Sequence, residues 1–430
     1  MISRINPISG NTVPSDIDRS GLVPRRHIMP NGKTLYYFED HHVEILKIDI
    51  LFAAGTALQS KLMQSAAAIQ MLTEGTSNHT AQQIAEFMDY RGILLENSNS
   101  EACATLTVYS LSRHVADLLP MLHEIITDAT YPDEEFTIFV DKRRQKLLTS
   151  MQQTSYRARK RYYELLFGKE HPLGRFAVAD DLNLLTPDDV RAFHRQQMRL
   201  EQATIVLGGD VTDSVLALFD EVFGKTPAIE APALRLPAPH PQVLGRENIS
   251  VVGAVQNTLR VGRLLPWRWD DKRYAQFMVL STVLGGYFGS RLMSNIREEK
   301  GYTYGIYAQS QILRDCIAFY IVTDVASDKA EAAMHEIAVE IERLRNETIP
   351  DEELEMVRNC MLGDFMRSID GIFERSERFC QQTVTGVDER FTDNYLAVLE
   401  PDAISGETLR QLACEVLVPE EMVWISAGQC

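Results

Sequence analysis

The chain has 430 residues, of which 45% are hydrophobic and 24% charged, with 60 acidic against 43 basic side chains and a formal net charge of −17. This length exceeds what one hydrophobic core sustains, so two or more domains are expected. The acidic balance argues against a nucleic-acid partner, because such binding needs a basic surface that displaces counterions.

The chain opens "MISRINPISGNTVPSDIDRSG", which lacks the apolar core of a secretory signal. No stretch approaches the roughly 18 apolar residues of a spanning helix, so a cytoplasmic protein with no membrane partner is expected. Six scattered cysteines (Cys103, Cys316, Cys360, Cys380, Cys414 and Cys430) include no close pair. Idle or buried thiols in a reducing compartment fit them better than a disulfide scaffold or a thiolate zinc site.

In chain order, the apolar run "VEILKIDILFAAG" reads as a strand, followed by helices over 62–74 and 80–91. Strands are expected at "ILLENSN" and "ACATLTVYSL", then helices over 113–129 and from 133 into the 150s. The second half repeats this order. It runs "NTLRVGRLLPW" as strand, helices near 271–284 and 290–299, strands "TYGIYAQSQ" and "CIAFYIVTDV", then helices over 327–346 and from 351.

The repetition extends to the sequence itself. "TPDDVRAFHRQQMRLEQATIVLGGD" from Thr186 and "SGETLRQLACEVLVPEEMVWISAGQ" from Ser405 each show a cap, an amphipathic helix, a break and an apolar strand ending in glycine. "YPDEEF" from Tyr131 and "IPDEEL" from Ile349 recur at nearly the same offset. Each opens a helix with an early proline and with acids at the positive end of the dipole. Strands grouped with helices indicate an α+β layer fold: two homologous domains, each a largely antiparallel sheet covered by helices. Between them, "KTPAIEAPALRLPAPHPQVLGREN" holds five prolines from Pro227 to Pro241 and reads as a stiff linker. The expected organisation is an arm over 1–24, a first domain over 25–225, the linker over 226–246 and a second domain over 247–430.

Five stretches give the chain a likeness to a known family: "EGTSNHTAQQIAEFMDYRGILLENSNSEACATLTVYSLSRHVADLLPMLHEII", "FGKEHPLGR", "LGGYFGSRLMSNIREEKGYTYGIYA" and the two domain-ending strands. From about "MPNGKTLYYFED" to the C-terminus the chain resembles the M16 (insulinase, pitrilysin and mitochondrial processing peptidase) family of zinc metallopeptidases. The resemblance implies two α+β halves of LuxS/M16-like metallohydrolase fold, closing like a clam shell around a peptide. Active members of that family carry His-x-x-Glu-His on the helix just before a Gly-Thr turn. Two imidazoles one turn apart reach one metal, and the glutamate acts as base on the metal-bound water. Counted back from Gly75, the motif positions here hold Ala66, Ile69 and Gln70, and the later glutamate ligand falls near Leu147. The expectation is that this chain holds no metal and no catalytic residue of its own.

No substitute site suggests itself. The ten histidines include no pair three or four residues apart. Adjacent His41 and His42 read as a polar rim, and His79 as a cap for the helix that follows. "LGGYFGSRL" lacks the lysine and spacing of a P-loop and reads as a helix–helix turn needing close backbone approach.

The second half keeps the positions that, by the same resemblance, hold the substrate backbone in active members: Arg297 and Tyr304, in "IREEKGYTYG". A guanidinium and a phenol are fixed donors suited to an oxygen that gains charge in a transition state. The alternative for Arg297 is a surface pair with Glu298 or Glu299. The resemblance therefore implies a non-catalytic subunit that pairs with a zinc-bearing M16 chain, zinc residing in that partner, and contributes Arg297 and Tyr304 to a peptide substrate. Self-association is the other pairing. A scaffold that binds extended peptide by strand addition, without chemistry, is the competing function.

Overall fold

The computed structural model describes residues 14–17, 19–225, 227–230, 234–239 and 242–429. Most of the N-terminal arm, parts of the proline-rich segment and Cys430 lie outside the described residues.

The first sheet contains β1 (Arg25–Ile28), β2 (Thr34–Glu39), β3 (Ile45–Phe52), β4 (Leu94–Asn99), β5 (Ala104–Leu111) and β6 (Thr204–Gly209) in the order β1-β2-β6-β3-β5-β4. The second contains β7 (Gly245–Ser250), β8 (Gln256–Leu264), β9 (Ile306–Leu313), β10 (Cys316–Ala326) and β11 (Val423–Gly428) in the order β7-β11-β8-β10-β9. Without β1, the two orders are the same. Each sheet has one parallel pair, β2 with β6 and β7 with β11, and is otherwise antiparallel. The register also repeats: Asp49 on β3 stands opposite Thr107 and Val206, and Arg260 on β8 opposite Val322 and Ile425.

The helices of the first half are α1 (Gln64–Gln70), α2 (Ala81–Arg91), α3 (Val115–Thr127), α4 (Asp133–Ser150), α5 (Thr154–Phe167), α6 (Pro187–Gln197) and α7 (Asp213–Val222). Those of the second are α8 (Lys272–Gly285), α9 (Ala330–Asn346), α10 (Asp351–Arg367), α11 (Ile372–Thr385), α12 (Glu389–Val398) and α13 (Gly406–Val416). Local chemistry sets several starts. Thr186 caps α6 with Pro187 in its first turn, Ser405 caps α13, and three acids open both α4 and α10.

Three helices depart from their expected form. The one expected over 62–74 is the seven-residue α1, because Met63 enters it with φ 77° and the chain after Gln70 turns toward Gly75, whose φ is 145°. The one expected over 290–299 is present over 291–299, but from Met293 to Glu299 it is a π-helix. The helix expected from 133 into the 150s stops at Ser150, and α5 begins separately at Thr154. In the proline-rich segment, Ile229 N–H donates to Glu201 O (2.9 Å) and Val243 N–H to Leu165 O (3.0 Å), while Gln242 Oε1 accepts from Leu264 N–H of β8 (3.0 Å), so the described parts touch both halves. Strand β7 begins at Gly245, inside the stretch read as linker.

One face of each sheet is covered by helices of its own half. On the first sheet, Leu46, Ile48, Ile50, Leu106 and Val108 join α3, α6 and α7 in a single core. On the second, Leu259, Val261, Phe319 and Ile321 do the same with α8, α9 and α13. The opposite faces are covered reciprocally. Ala158, Tyr162, Leu166 and Phe167 of α5 pack on Ala318, Val423, Ile425 and Ala427 of the second sheet. Cys380 of α11, with Ile372 and Phe379 against it, packs on Phe38, Leu51 and Val206 of the first. Each half thus lends one helix to the other. At about 1.5–3 kcal/mol per large apolar side chain buried, this exchange is a substantial share of what joins the halves.

Candidate functional site

Helix α1 is short, apolar and buried from Gln64 to Ile69. The Gln64 side chain accepts from the N–H groups of Ser60 and Lys61, both at 2.9 Å, and fixes the approach to the helix. Ser65 Oγ donates to Ala54 O (2.7 Å) and the buried Tyr131 hydroxyl to Ala68 O (3.0 Å). The small side chains of Ser65, Ala66, Ala67 and Ala68 let strand and helix backbones approach this closely.

Two of the positions that the resemblance assigns to metal ligands come together in space. Ala66 on α1 and Leu147 on α4 line one cavity of about 690 Å³. Ile69 is buried in the first core. Gln70 opens into an adjoining cavity of about 280 Å³. Arg143 and Lys146 of α4 line both cavities. The far wall of the larger cavity is formed by Arg260 on β8 and Val322 on β10, so it lies between the halves.

This site does not fit zinc. The four positions offer a methyl, two branched aliphatic groups and one carboxamide, where the metal needs three convergent nitrogen, sulfur or carboxylate ligands. Two cationic side chains on the same wall oppose a divalent cation as well. Among the described residues, no group of three His, Cys, Asp or Glu is arranged to hold a metal ion.

The structure pairs Arg297 with Glu298 and lays its guanidinium 4.4 Å from the Phe288 ring centroid. Tyr304 is 95% exposed. Neither residue lines the cavity beside Ala66 and Leu147. In the glycine-rich turn before the π-helix, a Cβ on Gly285 would come within 2.7 Å of the Ala308 backbone nitrogen, so glycine there serves close approach.

His79 is not the cap of α2. Thr80 caps it, with Gln83 completing the capping box, while His79 Nδ1 lies 2.8 Å from Glu124 Oε1. The Thr76 hydroxyl donates to the same carboxylate. These hydrogen bonds outweigh partial burial and hold the Glu124 pKa below the usual carboxylate value. His41 sits at the rim, 3.1 Å from Asp210.

The cationic lining was not visible in the sequence. Arg143 and Lys146 lie in "DKRRQK", and Arg159 in "SYRARKRYY", separate charged runs that nothing in the sequence joins. Arg260 sits in a strand 117 positions beyond Arg143, and only the fold brings them to one cavity.

The duplicated sheets, the exchanged helices and a chamber between halves define a two-part α+β protein of the M16 peptidase fold. A solved structure described as a peptidase M16 inactive domain from Pseudomonas fluorescens superposes with a TM-score of 0.82 at 20% identity, covering 95% of this chain and 98% of that one. Residues 184–361 match the family model described as Peptidase M16 inactive domain. An uncharacterized zinc protease of Mycobacterium tuberculosis is 21% identical over 391 residues, spanning 89% of this chain and 88% of its own length. A Helicobacter pylori protein described as a non-peptidase homolog is 22% identical over 336 residues, 76% of each chain. Residues 184–361 thus match a domain of the M16 peptidase family, the chain as a whole shares that family's fold, and its sequence holds no His-x-x-Glu-His.

Proposed function

We propose that this chain is a non-catalytic subunit of a two-chain M16 peptidase. It pairs with a zinc-bearing relative in the cytoplasm and lends Arg297 and Tyr304 to the backbone of a peptide substrate. One observation carries the reading: the inter-half chamber persists with Ala66 and Leu147 on its wall, although the side chains that would hold a metal are gone. A chamber kept without its metal fits a protein that still receives peptide. The exposed Tyr304 phenol is free to meet a group outside this chain.

The test is to purify the chain with a zinc-motif M16 relative and to assay peptide hydrolysis by the pair and by each chain alone. Hydrolysis that needs both chains is the expected result. Arg297→Ala and Tyr304→Ala should each lower turnover by about 10²-fold, the loss typical of removing one transition-state donor. Full activity in both variants would refute the assignment of these residues.

A second reading is favoured by the Arg297–Glu298 pair, since a guanidinium already satisfied by a carboxylate is not presented to a substrate. In that reading the chain binds extended peptide as a scaffold, and no zinc-bearing partner makes the pair hydrolytic.

A further inference from the structure

The cavity that replaces the family metal site has an unusual charge. Arg143, Lys146, Arg159, Arg175 and Arg260 line it, and no aspartate or glutamate does. Acids outnumber bases in the chain by 60 to 43. Even so, none of these five cations has an ion pair or a side-chain hydrogen bond among the described residues. The Nε atoms of Arg143, Arg175 and Arg260 are buried without a hydrogen-bond partner. Arg260 is only 7% exposed, and what holds it is aromatic: its guanidinium lies 3.9 Å from the Tyr320 ring centroid and 4.9 Å from that of Tyr162. Ring quadrupoles offset part of the cost of burying this charge but accept no in-plane hydrogen bond from its N–H groups. A buried guanidinium with free donors and no counterion is costly unless an anion reaches it.

The extent of the cluster argues for a chain-like anion. The five side chains come from α4, α5, the segment after α5, and β8, around about 690 Å³. Asn99, at the end of β4, also lines the cavity, and β4 is the outermost strand of its sheet. A peptide added along that edge would present alternate side chains to the cations, and carboxylates match the guanidinium fork in bidentate geometry.

We propose that this cavity is a binding site for the carboxylate side chains of an extended acidic peptide. The proposal deepens the functional reading above and rests on it for the peptide's fate, but the binding itself is a property of this chain alone.

The experiment is fluorescence anisotropy with the full chain and labelled, strand-length oligoglutamate, oligoglutamine and oligolysine. Oligoglutamate should bind at least 10-fold more tightly than the other two, and its affinity should fall between about 50 and 200 mM salt as ion pairs are screened. The Arg143→Gln/Lys146→Gln double variant should lose at least 10-fold in oligoglutamate affinity, with an unchanged circular dichroism spectrum. Arg367→Gln, which does not line the cavity, should not. Inorganic phosphate at matched ionic strength should displace the peptide no better than chloride does. Three results would each overturn the proposal: equal binding of the three peptides, full affinity in a folded double variant, or selective displacement by phosphate, which would mark a small-anion site. The peptide comparison uses unaltered protein, so it decides the matter even if the variant misfolds. Acidic-peptide binding without partner-dependent hydrolysis would keep this proposal and remove the peptidase subunit. Hydrolysis of neutral peptides without acidic-peptide binding would do the reverse.

Discussion

Glu74 and Glu135 face the same small cavity beside Gln70. Burial, then the Glu135 charge, raises the Glu74 pKa above the ordinary carboxylate value, with Lys142 pulling the other way. The folded chain therefore holds a proton on Glu74 that the unfolded chain releases more readily. That contribution to stability is complete below the ordinary glutamate pKa and is lost as pH rises through the folded value. Glu74→Gln should raise the melting temperature at pH 7 and leave it unchanged near pH 4, which thermal melts at the two pH values will check. Lys47 presents the opposite case. It is 2% exposed and bridges the 1%-exposed Asp49 (3.0 Å) and Glu377 of α11 (3.0 Å). Burial disfavours its charge, but the two carboxylates prevail and hold its pKa above the usual lysine value. Lys47→Met leaves Asp49 buried without its cation and should cost about 3–5 kcal/mol in urea denaturation. Adding Asp49→Leu should recover much of that loss.

At the level of elements, the sequence exposed what local chemistry encodes. Thr186 and Ser405, each with a helix and a glycine-ended strand behind it, revealed the duplication, and the structure repeats those elements at Pro187–Gln197 with Thr204–Gly209 and Gly406–Val416 with Val423–Gly428. The positions that the resemblance assigns to the metal motif, Ala66, Ile69 and Gln70, could be named from sequence because the family's motif stands at a fixed helical spacing before a Gly-Thr turn. The exchange of α5 and α11 was not readable. The apolar residues of α5, Ala158, Tyr162 and Leu166, look the same whichever sheet they cover, and their true partners Val423 and Ile425 lie far along the chain. Close approach of α5 depends on Gly262, where a Cβ would sit 2.0 Å from Phe319 O and 2.7 Å from the Tyr162 hydroxyl. Tyr162 donates to that same carbonyl and is wholly buried. Tyr162→Ala should cost about 3–5 kcal/mol, read from the shift in denaturation midpoint, as for other large aromatic truncations. A loss under 1 kcal/mol would show that α5 does not hold the second sheet as described.

The exchange makes the molecule one unit in spite of its duplication. Cutting the chain in the proline-rich segment leaves α5 on the second sheet and α11 on the first. A nicked protein should therefore elute as a single species in gel filtration, and its pieces should part only in denaturant. Residues 1–225 expressed alone should expose the face of Phe38, Leu51 and Val206 and bind a hydrophobic dye. Elution of the nicked protein as two separate fragments would contradict the reciprocal packing.

Helices α4 and α5 are joined only by residues 151–153, and α10 and α11 only by 368–371. Each short tether runs from one half to a helix seated on the other, and so few residues span at most roughly 11–14 Å when pulled straight. The mouth of the molecule can therefore gape only within that leash unless a seated helix is torn out. On the peptide-binding reading proposed above, such a mouth admits a slender, unfolded strand and turns away a folded globule.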